Sequence, residues 1–183
     1  MKRIAIAAVD EDWGIGKNGV LPWDYMEDRQ YFKRCTMNSP CIMGRKTYED
    51  LTAYFKGDTM MPGRFPIVVS ESMVRLDVPV TYNNVYVAAS VETAITIAED
   101  MLSYFDGVTS GMMAFIGGSS IYEYVINNAL VDEVLLSHIP GKHNCDTFFP
   151  QGGMGMYEKQ SSNISPTTGI DYAIYKLKGA NNE

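Results

Sequence analysis

The stretch Ile4-Ala5-Ile6-Ala7-Ala8-Val9-Asp10-Glu11-Asp12-Trp13-Gly14-Ile15-Gly16-Lys17-Asn18-Gly19-Val20-Leu21-Pro22-Trp23-Asp24-Tyr25-Met26-Glu27-Asp28 reads as strand, loop and helix in succession. Residues 3–9 are almost continuously apolar, as expected of a strand buried on both faces of a parallel sheet. A glycine-rich loop over 14–19 follows, and Leu21-Pro22-Trp23 makes a hinge into a helix. Asp24 is the expected N-cap, with Glu27 three residues on in a capping-box pattern. The helix should run to about Met37, where Asn38-Ser39-Pro40 ends it. Its apolar stripe is Tyr31, Phe32 and Cys35, and stepping back by three and four lands on Asp28. A carboxylate on a buried stripe is costly unless something pairs with it.

Working outward, strands and helices alternate. Cys41-Ile42-Met43 reads as a strand, Gly44 to Thr47 as a turn, and Tyr48, Leu51, Tyr54 and Phe55 as a helical stripe. Residues 56–65 read as a loop, Ile67 to Ser70 as a buried strand, residues 71–84 as irregular and Val85 to Ala88 as a short strand. Ser90 caps a long helix whose apolar positions run from Val91 to Phe105, and Asp106 to Gly111 is a turn. Met112 to Ile116 is a strand that meets Gly117-Gly118, with a short helix bearing Ile121, Tyr122 and Val125 behind it. Glu133 to Ile139 is a strand, residues 140–168 are mostly loop, and Ile170 to Lys178 is a terminal strand. The fold class expected is α/β: one domain over residues 1–178, a mostly parallel central sheet with helices on both faces, and an antiparallel C-terminal edge strand. The tail from Gly179 should fray.

A chain of 183 residues with 46% hydrophobic and 20% charged residues suits one globular domain. No apolar run is long enough to span a membrane, and the first apolar run is too short for a signal peptide. Cys35, Cys41 and Cys145 form no CxxC pair, which fits a reducing, cytoplasmic setting better than a disulfide framework. That setting also makes the glycosylation pattern Asn163-Ile164-Ser165 irrelevant. A net charge of −7 disfavours nucleic acid as partner, so any anionic ligand must find a local cation cluster. Nothing suggests an obligate partner, and a monomer is expected. The two histidines, His138 and His143, match no zinc spacing with Cys145, and no metal is expected. His138 reads as a satisfied strand residue.

Two strand ends run through glycine into a helix: Met43-Gly44-Arg45 and Ile116-Gly117-Gly118-Ser119. Helix N-termini suit phosphate, and glycine permits close approach to backbone, so two such turns on one sheet could hold the halves of a dinucleotide. Each is equally a tight βα turn, and neither is a GxGxxG fingerprint. Arg45-Lys46 supplies the local cations at the first. Asp28 reads either as a first-turn acid favoured by the helix dipole or as a site acid that holds a flat, amidine-like heterocycle, its pKa raised by burial. Arg64, after Pro62-Gly63, is a solvated loop residue or a carboxylate clamp.

These stretches together resemble the dihydrofolate reductase family. Gly14 to Trp23 is similar to the family's mobile active-site loop, Pro40 to Glu49 to its second signature and Phe115 to Tyr122 to its third. Pro62-Gly63-Arg64, Ser137-His138-Ile139 and Asp146-Thr147-Phe148-Phe149-Pro150 follow in the expected order, so the resemblance runs from about residue 3 to residue 177. It implies reduction of 7,8-dihydrofolate to tetrahydrofolate with NADPH. It implies that Asp28 holds the pterin and promotes protonation at N5, supported by Ser137, with Trp23 helping to order a water and Leu21 beside them in the lid. Ile6, Phe32 and Leu51 would line the folate pocket, and Arg64 would clamp the glutamate α-carboxylate. The cofactor residues implied are Ala8, Ile15, Gly16, Gly19, Val20, Gly44, Arg45, Lys46, Thr47, Ser70, Glu71, Ser72, Gly117, Gly118, Ser119, Ser120, Ile121, Tyr122 and Thr147.

Two departures from the family pattern stand out. Glu71 lies where many members carry a small hydroxyl or basic residue near the adenosine 2′-phosphate, and the loop between Leu51 and Pro62 is longer than in compact bacterial relatives. Two rival readings share the fold: a reductase of a pyrimidine intermediate in riboflavin synthesis, and a non-catalytic folate- or nucleotide-binding protein. Asp28 with Arg64 favours a pterin that carries a glutamate tail.

Overall fold

The structure is a computed structural model, and it describes residues 1–75, 82–104 and 109–179. In chain order the elements are β1 (Lys2–Val9), β2 (Gly14–Gly16), α1 (Met26–Thr36), β3 (Pro40–Gly44), α2 (Arg45–Thr52), β4 (Phe65–Val69), α3 (Glu71–Arg75), β5 (Tyr86–Ala88), α4 (Val91–Tyr104), β6 (Met112–Gly117), α5 (Ser119–Asn127), β7 (Glu133–His138), β8 (Thr147–Phe148), β9 (Tyr157–Ile164) and β10 (Asp171–Leu177). Eight strands form one sheet in the order β5-β4-β3-β6-β1-β7-β10-β9. The pairs from β5 through to β7 are parallel, and β10 is antiparallel to both β7 and β9.

Strand alternation sorts the core into two layers. Ala5, Ala7, Val9, Ile42, Ile67, Met113, Phe115, Val134 and Leu136 point to one face, where Ala94, Ala98 and Met101 of α4 and Ile121, Val125 and Ile126 of α5 cover them. Ile4, Ile6, Cys41, Met43, Val68, Ala114, Ile116 and Leu135 point to the other, against Tyr31, Phe32 and Cys35 of α1, Tyr48 and Leu51 of α2 and Met73 of α3. Burial on both faces is why these strands read as apolar runs.

The connections from β1 to β3 and from β6 to β7 leave in opposite directions and on opposite faces, because β6 inserts between β3 and β1. Such a reversal opens a crevice at the carboxyl ends of the strands, where open α/β sheets bind ligands.

Several sequence expectations are corrected. The terminal strand β10 is antiparallel as expected, but it is second from the edge. The edge is β9, inside the stretch read as loop, and of its eight residues only Tyr157 is buried. A strand with no apolar alternation is held by its ladder to β10 and gives no periodic signal. The glycine loop contains β2, which pairs with β8. The helical stripe through Tyr54 and Phe55 stops short, because α2 ends at Thr52. Part of the 71–84 segment is the short helix α3. Residues 76–81, Phe105 with the first residues of its turn, and the tail beyond Gly179 lie outside the described residues.

The capping box is also absent. Tyr25 occupies the N-cap of α1, with no side-chain cap. Asp24 instead pairs with Arg29. Glu27 accepts hydrogen bonds from Ser165 Oγ (2.8 Å) and Thr168 Oγ1 (3.1 Å), tethering α1 to the β9–β10 hairpin. A long-range tether won over the local cap, which sequence spacing alone does not show. Ser90, by contrast, caps α4 as expected, accepting from Thr93 N at 3.2 Å.

Candidate active site

Asp28 lies in the first turn of α1 on the face turned toward the sheet, 9% exposed. Burial raises its pKa above the usual carboxylate range; a hydrogen bond with Ser137 opposes the rise and the Glu27 charge adds to it. Ser137 is buried on β7, in register between Ala8 of β1 and Tyr172 of β10. Ile6 lies on the same sheet face, with Phe32 of α1 and Leu51 of α2 packed on that layer. The acid, its hydroxyl partner and the three apolar residues are thus on one side of the sheet.

Arg64 is delivered by a turn. Met61 and Gly63 adopt φ of +47° and +77°, and Arg64 N donates to Met61 O at 3.1 Å. Asn38 N bonds to Gly63 O at 2.8 Å, fixing the turn beneath the end of α1. The longer loop before it is pinned by Asn84, which accepts from Met60 N (2.9 Å) and donates to Met60 O (2.6 Å). Arg64 is 7% exposed, and its Nε is buried without a hydrogen-bond partner. The solvated-loop reading of Arg64 is therefore excluded. Trp23 has a similar orphan: its ring is buried edge-on to His143 at 5.0 Å between centroids, with Nε1 unpartnered. Buried donors are normally paired, so each of these orphans fits a polar ligand.

The two glycine turns are neighbours, because β3 and β6 pair directly. A Cβ built on Gly118 would lie 3.2 Å from Thr47 Oγ1, and one on Gly44 would touch Ile121 and approach Gly118 N. Gly117 adopts φ +112°, and a Cβ there would press on the Tyr122 ring at 3.0 Å. Tyr122 Oη donates to Ile6 O at 2.7 Å and anchors this turn on β1. Ser119 and Ser120 open α5. Arg45 and Lys46 open α2; Arg45 bonds Glu49 through Nε (2.6 Å) and Ser72 Oγ through Nη1 (3.0 Å). Ser70 is buried and caps α3 through Met73 N at 3.2 Å, while Glu71 is exposed at its first position.

The 14–20 segment is more ordered than a glycine-rich loop. Lys17 and Val20 exchange backbone bonds of 2.9 and 3.1 Å around Asn18 (φ +50°) and Gly19 (φ +81°). That is the two-residue hairpin turn that Asn-Gly favours, a signal present in the sequence but read only as flexibility. Gly16 O accepts from Asp146 N at 3.0 Å, and Asn18 N donates to Asp146 Oδ2 at 2.8 Å. Ile15 packs against the core, Val20 and Leu21 are exposed at the tip, and Thr147 pairs with Gly16. His138 is satisfied, its Nε2 3.0 Å from Tyr175 Oη. Among the described residues no group of three or more His, Cys, Asp or Glu is placed to hold a metal, and no helix is long and apolar enough to cross a membrane.

A hairpin loop, two adjoining glycine turns and a buried acid at the carboxyl ends of the strands match a family whose model, described as dihydrofolate reductase, covers residues 3–178. The chain belongs to the dihydrofolate reductase family. It is 29% identical over 178 residues to dihydrofolate reductase HdrB of Haloferax volcanii, covering 97% of this chain and 84% of that one. It is 31% identical over 160 residues to a dihydrofolate reductase of Schistosoma mansoni, covering 82% and 79%. A solved dihydrofolate reductase from Enterococcus faecalis, complexed with NADP(H) and RAB-propyl, superposes with a TM-score of 0.72 at 27% identity, covering 97% of this chain and 96% of that one.

Proposed function

We propose that the protein reduces 7,8-dihydrofolate to 5,6,7,8-tetrahydrofolate with NADPH, hydride going to C6 and a proton to N5. The observation that carries this reading is the buried Asp28–Ser137 pair on the same sheet face as Ile6, Phe32 and Leu51, with the buried Arg64 at the margin of that layer. Family membership and the named relatives support the same reaction. When bound, NADPH supplies the hydride; the protein contributes binding, orientation and proton delivery. Gly44 and Gly117-Gly118 let the pyrophosphate approach the N-termini of α2 and α5. Arg45, Ser70 and Ser72 form the polar cluster suited to the adenosine 2′-phosphate, and the 14–20 hairpin closes over the nicotinamide end.

Asp28 holds the 2-amino and N3 edge of the pterin by hydrogen bonds to its carboxyl group. Burial keeps its proton available closer to neutrality, and Trp23 Nε1 fixes a water from which N5 is protonated. Arg64 clamps the glutamate α-carboxylate. Closure of the lid excludes water from the hydride path. We assign the protein to the cytoplasm as a monomer; sedimentation of the purified chain would check the oligomeric state.

The decisive assay is loss of nicotinamide absorbance with dihydrofolate, run with NADPH and NADH in parallel. Turnover should be faster with NADPH. Activity only on a ribosylamino-pyrimidine, or tight binding of folate and cofactor without turnover, would overturn the reading. The same assay tests Glu71. Its carboxylate opens α3 beside Ser70 and Ser72, and a charge near the 2′-phosphate is repulsive. Glu71→Ser should raise the NADPH/NADH ratio of kcat/KM by about tenfold, equal to about 1.4 kcal/mol. An unchanged ratio would mean that Glu71 faces solvent in the complex.

A further inference from the structure

Asp10 is a carboxylate with no role in the proposed chemistry, yet it is 3% exposed. It ends the run of β1, and four donors from two chain segments converge on it. Oδ1 accepts from Asp12 N (3.0 Å) and Gly14 N (2.8 Å). Oδ2 accepts from His143 N (2.9 Å) and Cys145 Sγ (3.5 Å). Burial works to raise its pKa, but the backbone donors of His143, Gly14 and Asp12, with Cys145, outweigh it and hold the carboxyl below its ordinary value. Its own backbone closes the same turn, Asp10 N donating to Gly14 O and Asp10 O accepting from Trp13 N, both at 3.0 Å. Trp13 at the turn's corner is held at φ +64°.

The two segments that meet at Asp10 both lead to the lid. One is its root: Gly14 begins β2, the strand that enters the Lys17–Val20 hairpin. A Cβ on Gly14 would overlap Cys145, so the segments are in direct contact there. The other carries Asp146, which bonds Gly16 and Asn18, and His143, whose ring backs Trp23. Around this centre run further ties: Lys142 to Asp12 at 2.7 Å and Gly141 N to Glu11 Oε1 at 2.9 Å on the exposed side, Glu11 N to Gly141 O at 3.1 Å and Phe149 N to Trp13 O at 2.8 Å in the backbone, and the His143 ring with Nδ1 3.7 Å from Asp10 Oδ2. Exposed ion pairs contribute little, whereas donors left unpaired in the interior each cost about 1–3 kcal/mol.

We propose that Asp10 is a positioning residue for the reductase reaction: its carboxylate clamps the root of the lid to the 143–146 segment and thereby holds the lid and the backing of Trp23 in register. It touches neither substrate nor cofactor. The proposal rests on the assignment of residues 14–20 as a lid over the nicotinamide end.

Asp10→Asn separates this role from general stability. The amide keeps the volume and one acceptor oxygen but turns an NH2 group toward two of the four donors. In the full-length protein, with and without NADPH, the amides of residues 14–20 should exchange with solvent about tenfold faster, with those of β1 and β6 unchanged. KM for NADPH should rise about tenfold, with KM for dihydrofolate moving less than about twofold. Cys145→Ala, which removes the weakest donor and keeps the charge, should shift both readouts in the same direction by less, and it serves if the Asn variant does not fold. Lys142→Ala, which breaks an exposed tie between the same segments, should change neither. Uniform acceleration of exchange across lid and sheet, or no acceleration, would overturn the proposal. Faster lid exchange with unchanged kinetics would also overturn it, by detaching the anchor from the reaction. Failure of the parent chain to turn over dihydrofolate would instead overturn the function.

Discussion

Asp28→Asn should lower turnover of dihydrofolate by about two to four orders of magnitude near pH 8, the range that positioned proton transfer contributes. The loss should shrink as the pH falls. In the parent protein the raised pKa of Asp28 keeps a protonated carboxyl available further toward neutrality than an exposed aspartate would. In the variant only substrate already protonated by solvent can react, so its rate should climb at acid pH and approach the parent's. A pH-rate profile of the hydride step measures both. A variant as fast as the parent at pH 8 would exclude the assigned role.

The same substitution should stabilise the fold. A carboxyl whose folded pKa lies above its unfolded value destabilises the native state once ionised. That loss sets in as pH rises through the unfolded value of about 3.9 and is complete above the folded one. At neutral pH an asparagine avoids it while keeping an acceptor for Ser137. The melting temperature should therefore rise at neutral pH and not at pH 3, by roughly 2–4 °C for each kcal/mol recovered in a chain of this size. A residue that weakens the fold and is needed for the reaction is the signature of a functional acid. Loss of activity with an unchanged or lower melting temperature would point to a structural role for the first-turn carboxylate.

Asp28 was legible in the sequence because helical spacing exposes a misplaced charge: the set 28, 31, 32, 35 admits only one register. The strands of the parallel core were legible for the same physical reason, burial on two faces. What periodicity cannot reach are interactions made across the chain. Nothing in Tyr157 to Ile164 marks a strand, since seven of its eight residues are exposed and it is held mainly by the ladder to β10, with Tyr157 reaching the core. Asp24 and Glu27 had the spacing of a cap, yet Glu27 was drawn to Ser165 and Thr168, well over a hundred residues away. Asp10 stands in an acidic run with Glu11 and Asp12, and nothing in that run marks it for burial. An aspartate can accept from the backbone N–H two residues on, a turn signal that Asp12 N fulfils here. Its burial, however, is set by His143 and Cys145, which only the fold brings near. The residues of the glycine turns and of the layer around Asp28 came from family resemblance, and the structure shows why they cluster: the β3–β6 and β1–β7 pairings place their strand ends side by side.

Arg64→Ala should raise the KM for dihydrofolate by about 100-fold while leaving a tail-less pterin within about twofold. Hydrogen bonds to charged groups contribute about 1.5–3 kcal/mol, and a guanidinium presents two of them to a carboxylate at once. The argument for a clamp starts from the cost of keeping the residue where it is. Arg64 is almost fully buried, burial disfavours its charged form, and only the nearby Cys41 opposes that. Arginine nonetheless stays protonated at any working pH, so the charge and the orphaned Nε are borne by the folded state. A buried cation without a matching anion is a net burden, and an apolar side chain of similar volume in its place is often neutral or stabilising. Arg64→Met should therefore hold or raise the melting temperature while losing dihydrofolate as severely as the alanine variant does. Arg64→Lys should recover little, because an ammonium lacks the planar fork. Equal losses for folate and the tail-less pterin would remove the clamp. A Met variant that melts well below the parent would show that Arg64 serves the fold, and the orphaned nitrogen would then need another partner.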